Sequence, residues 1–344
     1  MTPASQPPAP KPTIASVSSA ARRLSITGIV GNRTALWAAV ALMALFLLVP
    51  TLLPGYQTLF RTILIYAALA YGWNFIGGYT GYVSFGNVTF FGLGAYCAGM
   101  LSARGVDNLF ADIALAVVVN AAFAAAVGFP VLRLKGHYFG IATLGTALAV
   151  TDIIGNLDVF GGTGGLALKQ VDQAHFSLYY YAAWLVAAAA ILITYLVARS
   201  KLGYAFVAIR ENEDAAAVLG ISATRYKILA WAIGAAIAGA AGAVYARGNG
   251  FVDPSIAFAE DANVFPIVMT ILGGIGTVAG PFIGAVILSG VNELLQRYFV
   301  KIHSIFFGAV IVAVVLLLPR GLVWLFGLRG GVRTWLNSLA TYKA

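Results

Sequence analysis

The stretch RSKLGYAFVAIRENEDAAAVLGISATRYK, residues 199–227, decides how the chain is read. Long apolar runs flank it, 178–198 before and 228–246 after. It holds five of the chain's 21 basic residues (Arg199, Lys201, Arg210, Arg225, Lys227) and three of its 12 acids (Glu211, Glu213, Asp214). From Ala205 to Leu219 almost every residue favours helix, and nothing between Gly203 and Gly220 breaks one. Gly220 stands where a C-terminal cap belongs. The expectation is one short charged helix on the membrane surface, joining two spans. Its simplest role is a solvated connector whose cations fix topology, and transmission of force is the alternative.

Composition fits that frame. The chain is 60% hydrophobic and 10% charged, with a mean hydropathy of +0.89. Soluble domains carry about 25% charged residues. Several runs approach the ~20 apolar residues that carry a helix across a bilayer, whereas a barrel would show alternating segments of ~10. The expected fold class is therefore all-α, a polytopic helical membrane protein. The net charge of +9 reflects asymmetric loops, because no basic cluster is interleaved with aromatics; a nucleic-acid partner is not expected. The single Cys97 lies in an apolar run and reads as a small packed residue, so no disulfide framework exists within the chain.

Residues 1–34 are rich in Pro, Ser and Ala and read as a disordered cytoplasmic tail without a cleavable signal. Residues 35–326 form the membrane domain, and 327–344 a C-terminal cytoplasmic tail. Ten spans are expected: 35–53, 58–76, 88–103, 109–132, 138–156, 178–198, 228–246, 263–272, 278–295 and 303–318. Arg61, one turn into the second, is expected to snorkel to the interface. Three tyrosines and Trp184 open the sixth, as suits a water–lipid boundary. With the N-terminus inside, 15 of the 21 Lys and Arg fall on the cytoplasmic side, which places both termini and the 199–227 connector there. The weak region is 263–295, where a re-entrant turn would change the count by two.

Much chemistry is missing. The sequence has no Gly-Lys-Ser/Thr, hence no P-loop, no His-Glu-x-x-His and no Gly-x-Ser-x-Gly. No metal site or catalytic residue is expected. Gly274-Ile-Gly276-Thr-Val-Ala279 matches half of a dinucleotide fingerprint but lies between hydrophobic spans. Asp112, Asp152 and Glu293 are the only candidates for ion-coupling acids, and each lies towards the end of its span. That weakens a gradient-driven secondary transporter, which stays the alternative function.

Glycines recur four apart at 77/81, 276/280 and 280/284, and Ala238 precedes Gly242 at the same spacing. Close helix packing explains such pairs. In the segment Gly77–Gly86 a second reading competes: non-helical backbone lining a cavity, with a polar solute passing near Tyr79, Thr80, Gly81, Ser84, Gly86 and Asn87.

Four stretches in order carry a resemblance: GYTGYVSFGNVTFFGLGAY (78–96), LRLKGHYFGIATLG (132–145), RSKLGYAFVAIRENEDAAAVLGISATRYKILA (199–230) and ILGGIGTVAGPFIGAVIL (271–288). FGGTGGL (160–166) looks like an external glycine-rich loop. Together they resemble the permease subunits of branched-chain amino acid ABC importers, more closely the LivM type than its LivH-type partner. The resemblance implies a bacterial inner-membrane protein that binds no cofactor itself. It also implies a second, LivH-like permease, two ATP-hydrolysing subunits and an extracytoplasmic solute-binding protein. Residues 203–221 match the coupling helix that docks on the ATPase. Coupling is expected from Ile209, Arg210, Glu211, Asn212, Glu213, Asp214, Ala216 and Gly220, with Arg210 to Glu213 as exposed contacts. Asp214-Ala215-Ala216 followed by Gly220 is similar to the Glu-Ala-Ala…Gly signature of ABC permeases, although the Ile-x-Leu-Pro tail is missing.

Overall fold

The computed structural model describes residues 33–169, 176–298, 308–309, 312 and 321–325. The expectations for the tails at 1–34 and 327–344, and for the tenth span at 303–318, lie outside or almost wholly outside them. In chain order the α-helices longer than four residues are α1 (Arg33–Phe46), α2 (Gln57–Trp73), α3 (Asn87–Ala103), α4 (Leu109–Val131), α5 (His137–Asn156), α6 (Phe176–Ala198), α7 (Lys201–Glu211), α8 (Glu213–Val218), α9 (Ala223–Asn249), α10 (Glu260–Gly273) and α11 (Gly280–Tyr298). Each of the first nine expected spans is thus helical. Six stretches among the described residues are long and apolar enough to cross a membrane: Pro54–Tyr79, Leu109–Val131, His137–Asn156, Ser177–Ala198, Ala223–Asn249 and Pro254–Gly273. The only sheet among the described residues is a two-residue ribbon, Leu166–Ala167 antiparallel to Phe251–Val252.

Local chemistry sets the helix ends. Asn108 caps α4, its side chain accepting from the Phe110 and Ala111 amides at 2.9 and 3.3 Å. Ser200 opens α7 by accepting from Leu202. α9 is the central element, packed on α2, α3, α4 and α6. It can be central because its contact faces are nearly bare. A methyl on Gly94 of α3 would lie 2.1 Å from the Gly239 carbonyl oxygen, and one on Gly242 would lie 2.0 Å from that of Phe91. In lipid, where apolar burial alone does not drive helices together, such approach supplies dispersion contact instead. α10 and α11 form a hairpin held the same way: a methyl on Gly284 would meet the Met269 carbonyl at 1.8 Å. The small-residue reading of 238/242 and 280/284 is therefore the right one.

Arg61 departs from its expected place. It is buried rather than snorkelled, donating to the Gly248 carbonyl at 2.9 Å and the Asn249 side chain at 2.8 Å. The open carbonyls that end α9 attract a cation, and no local pattern in the sequence announces that partner.

The helices leave two polar ends. At one meet 77–86, the 132–137 turn, the connector and the 274–279 turn. At the other meet the 102–112 corner, Lys169 and the ends of α2 and α9. There Arg247, only 3% exposed, donates to Asp112 (2.7 Å), Asp107 (3.0 Å) and the Val106 carbonyl (3.2 Å). Asp112 is thus held in an ion pair, and Glu293 pairs with Arg297 at 3.1 Å. Asp152 is exposed on α5.

Candidate functional site: the connector and the helix break

The connector is two helices, not one. α7 stops at Glu211, and Asn212 is extended (φ −163°, ψ 110°). The Asn212 side chain accepts from the Ala215 amide at 2.9 Å and so starts α8. Asn favours caps because its amide competes with the helical backbone; the sequence carried this signal, and the expectation of an unbroken helix passed over it. Gly220 ends α8 as expected. Its φ is +83°, and the Gly220 and Ile221 amides donate to the Ala217 and Ala216 carbonyls, a Schellman closure.

The connector has an inner and an outer face. Ile209 and Ala216 are buried, 3% and 2% exposed. Glu211, Asn212, Asp214 and Gly220 are exposed. Among the described residues Asp214 pairs with the exposed Lys135, at 3.4 Å. Val218 and Leu219 stand 88% and 78% exposed at the tip of α8. Two of the four residues expected as outward contacts point inward instead. Arg210 donates from one guanidinium nitrogen to the Gly78 carbonyl at 3.0 Å and from the other to Glu211 at 3.2 Å. Glu213 accepts from the buried Lys227 ammonium at 3.0 Å and, through its other oxygen, from the Tyr82 hydroxyl. Lys227 also donates to the Tyr82 oxygen (3.0 Å) and the Leu132 carbonyl (3.1 Å), so its three protons are all used. Burial alone would push the Glu213 carboxyl up; the hydrogen bonds from Tyr82 and Lys227, with the Lys227 charge, outweigh it and hold the group below its ordinary value.

Both inward residues grip the same object, the break after α2. Residues Asn74–Tyr79 widen into a π-helix, and 80–86 are irregular before α3 begins at Asn87. π-segments of this kind concentrate at functional sites. Residues 74–80, 84 and 86 of the break are buried, the condition under which irregular backbone is tolerated at membrane depth, whereas Gly81, Val83 and Phe85 are exposed. Trp73 donates to the Ser84 carbonyl at 2.8 Å, Asn263 to that of Phe85 at 2.7 Å, and the Phe85 amide to Thr143 at 3.0 Å. Asn74 spans to the second glycine-rich turn, accepting from the Gly276 amide at 2.8 Å and donating to the Thr277 carbonyl at 3.1 Å. Gly81 has φ +76° and lies under Arg210, where a methyl would come 2.8 Å from the arginine chain. Gly77 and Gly81 serve this break, not a helix–helix seam.

The polar side chains of the break are turned inward. Tyr79, Thr80, Ser84, Gly86 and Asn87 are buried, and Gly81 is exposed. Thr80 donates to the Ile76 carbonyl at 2.7 Å and Asn87 to that of Leu69 at 3.3 Å; the Ser84 hydroxyl accepts from the Gly86 amide at 3.2 Å. The buried Tyr79 hydroxyl makes no hydrogen bond among the described residues. No group of three potential metal ligands occurs among the described residues.

Apolar spans around a central glycine-lined helix, with a charged connector clamped to a helix break, define a polytopic helical membrane protein. Residues 55–315 match the permease component of branched-chain amino acid transport systems, and the chain belongs to that family. The high-affinity branched-chain amino acid transport permease LivM of Salmonella typhimurium is 32% identical over 291 residues, 76% of this chain and 68% of its own. LivM of Escherichia coli is 31% identical over the same shares. LivH of Salmonella typhimurium is 27% identical over 282 residues, 75% of this chain and 91% of its own. No solved structure matches the chain. The protein is accordingly a multi-pass inner-membrane transport subunit of an ABC importer, not an enzyme, and works with partner subunits.

Proposed function

We propose that the chain is the LivM-like half of an ATP-driven importer of branched-chain amino acids or related small polar solutes. Its partners are a LivH-like permease, two ATP-binding subunits and an extracytoplasmic solute-binding protein, all working around the lipid bilayer. ATP is spent on the ATPase subunits, and this chain binds no cofactor. The observation that carries the reading is the double clamp: Arg210 and Glu213 of the connector hold Gly78 and Tyr82 of the break. The exposed tip of α8, Val218 and Leu219 above Asp214, is the surface offered to an ATPase groove. A push there is passed through two charge-assisted bonds, stiffer than neutral ones, to the backbone between α2 and α3. The solute passes near that break, between Tyr79 and Asn87, and the push changes access to it.

Two variants separate docking from transmission. Val218→Asp with Leu219→Asp is expected to lose the ATPase subunits on purification in mild detergent, while the second permease stays bound. Arg210→Ala is expected to retain them, with ATP hydrolysis continuing and uptake of labelled leucine lost. ATPase recovery unchanged by the double variant, together with normal uptake by Arg210→Ala, would return the connector to a passive link.

A further inference from the structure

Three cavities among the described residues differ in kind. One of about 530 Å³ between α4, α6 and α9, and one of about 500 Å³ between α1 and α6, have almost wholly aliphatic and aromatic walls, suited to lipid chains. A third, of about 510 Å³, is polar. It lies between the first turns of α2, the start of α10 and the second half of α11, at the end of the molecule away from the connector. Its volume is that of a small-molecule site.

The wall from α11 is built to a pattern. Ser289, Asn292, Glu293, Gln296 and Arg297 fall at i, i+3, i+4, i+7 and i+8, one continuous polar stripe on a helix whose first half is apolar. Lipid does not accept such a stripe; polar membrane side chains face water, protein or a solute path. Across the cavity stands Asp261, exposed and without an ion-pair partner among the described residues. An acid at a helix start offsets the helix dipole, and a Glu293–Arg297 pair is ordinary on a helix face. Neither effect explains why both borders enclose one cavity. Thr62, Tyr66 and Asp261 also border a smaller cavity of about 260 Å³, whose other walls are Ile65, Phe91, Ile256 and two alanines on one hand and Tyr245 and Ser255 on the other. A carboxylate with no ion-pair partner among the described residues, a guanidinium and a recess with an aliphatic and aromatic side therefore border connected space.

We propose that this cavity is a solute vestibule that holds an α-amino acid as its zwitterion, the ammonium on Asp261, the carboxylate on Arg297 and an aliphatic side chain in the smaller recess. The assignment rests on the importer reading above and narrows its solute to molecules carrying both charges. Arg297 keeps donors free beyond those it gives Glu293 and Tyr56, because a guanidinium has five.

The test uses the full importer in spheroplasts to which the solute-binding protein, lost with the periplasm, is added back. Cys97, the one cysteine of this chain, is buried, so Asn292→Cys supplies the chain's one accessible thiol for a membrane-impermeant cationic thiosulfonate, read on this chain after it is separated from its partners. Modification is expected, and L-leucine at about ten times its dissociation constant leaves roughly one site in ten free, so the rate falls about tenfold. Isoamylamine and 4-methylvalerate, each lacking one charge, protect poorly. Adding Asp261→Asn raises the leucine concentration for half-protection roughly tenfold, the loss of one charge-assisted bond. Modification that leucine does not slow overturns the proposal. So does an introduced thiol that is closed in the assembled importer but reactive in the separated chain, which makes the stripe a contact with the second permease. Labelled-leucine uptake by the unmodified importer is measured alongside. Uptake with an unprotected thiol sinks the vestibule alone, whereas absent uptake sinks the solute reading on which it rests.

Discussion

Lys227 and Arg247 are buried near the two ends of α9, and acids from outside that helix are brought to each, Glu213 to Lys227 at 3.0 Å and Asp112 to Arg247 at 2.7 Å. Breaking such a pair costs more than the pair gains, since one charge stays buried alone. Asp112 is 0% exposed beside an Arg247 that is 3% exposed. Asp112→Asn is expected to destabilise by about 3–5 kcal/mol, and Asp112→Leu with Arg247→Met to recover most of the loss. Thermal aggregation in detergent reads both. Glu213 is wetter, and Glu213→Gln is expected to cost about 1–2 kcal/mol after allowance for solvent at its outer oxygen. Its pH signature has a definite sign. The folded carboxyl lies below its ordinary 4.5, so the stability it gives is present above that value and is lost as pH falls through the depressed one. The acid slope of the melting temperature should therefore flatten in Glu213→Gln. An unchanged slope would place the acid response elsewhere.

Among the elements, the connector and the α3–α9 contact make opposite demands on small residues. α8 has only six residues, so its ends hold most of it. Asn212→Ala is expected to remove about 1 kcal/mol of capping and to speed hydrogen exchange at 213–218 roughly fivefold. Gly94→Ala should instead be severely destabilising, because overpacking against the Gly239 backbone outweighs the ~1 kcal/mol that Ala gains over Gly in a helix. Gly290→Ala, where a methyl meets nothing within 4 Å, is the matched control and should be neutral or mildly stabilising. These elements also mark how far the sequence could be read. The first nine apolar runs and the Gly220 cap follow from composition and local propensity and are helical and capped as expected, whereas the single connector helix is split at Asn212. The inward turn of Glu213 follows from neither composition nor propensity, because its partner Tyr82 is 131 positions away and nothing local distinguishes a paired carboxylate from a solvated one. Arg61 and Arg247 were hidden for the same reason: their partners are set by packing, not by spacing.

At the scale of the whole molecule, α9 acts as the mast. Lys227 and Arg247 are twenty positions apart on one helix, which at 1.5 Å per residue is about 30 Å, the thickness of the hydrocarbon core. Each cation lies in a polar collar: Glu213, Tyr82 and Leu132 at one end, Asp112, Asp107 and Val106 at the other. The two collars would hold the helix at a fixed depth, so that a displacement of the connector enters the membrane as movement of a rod rather than as local bending. From the bias of Lys and Arg the Lys227 collar is expected inside the cell, and that orientation can be checked directly. Arg225 is exposed beside one collar, and Lys169 is exposed beside the other, pairing with Asp107 at 3.3 Å. In spheroplasts of a Cys97→Ala background, Lys169→Cys is expected to react with an impermeant maleimide at once, and Arg225→Cys only after the membrane is opened. The reverse order would invert the molecule, put the Val218–Leu219 tip outside, and remove the connector from the reach of any ATPase.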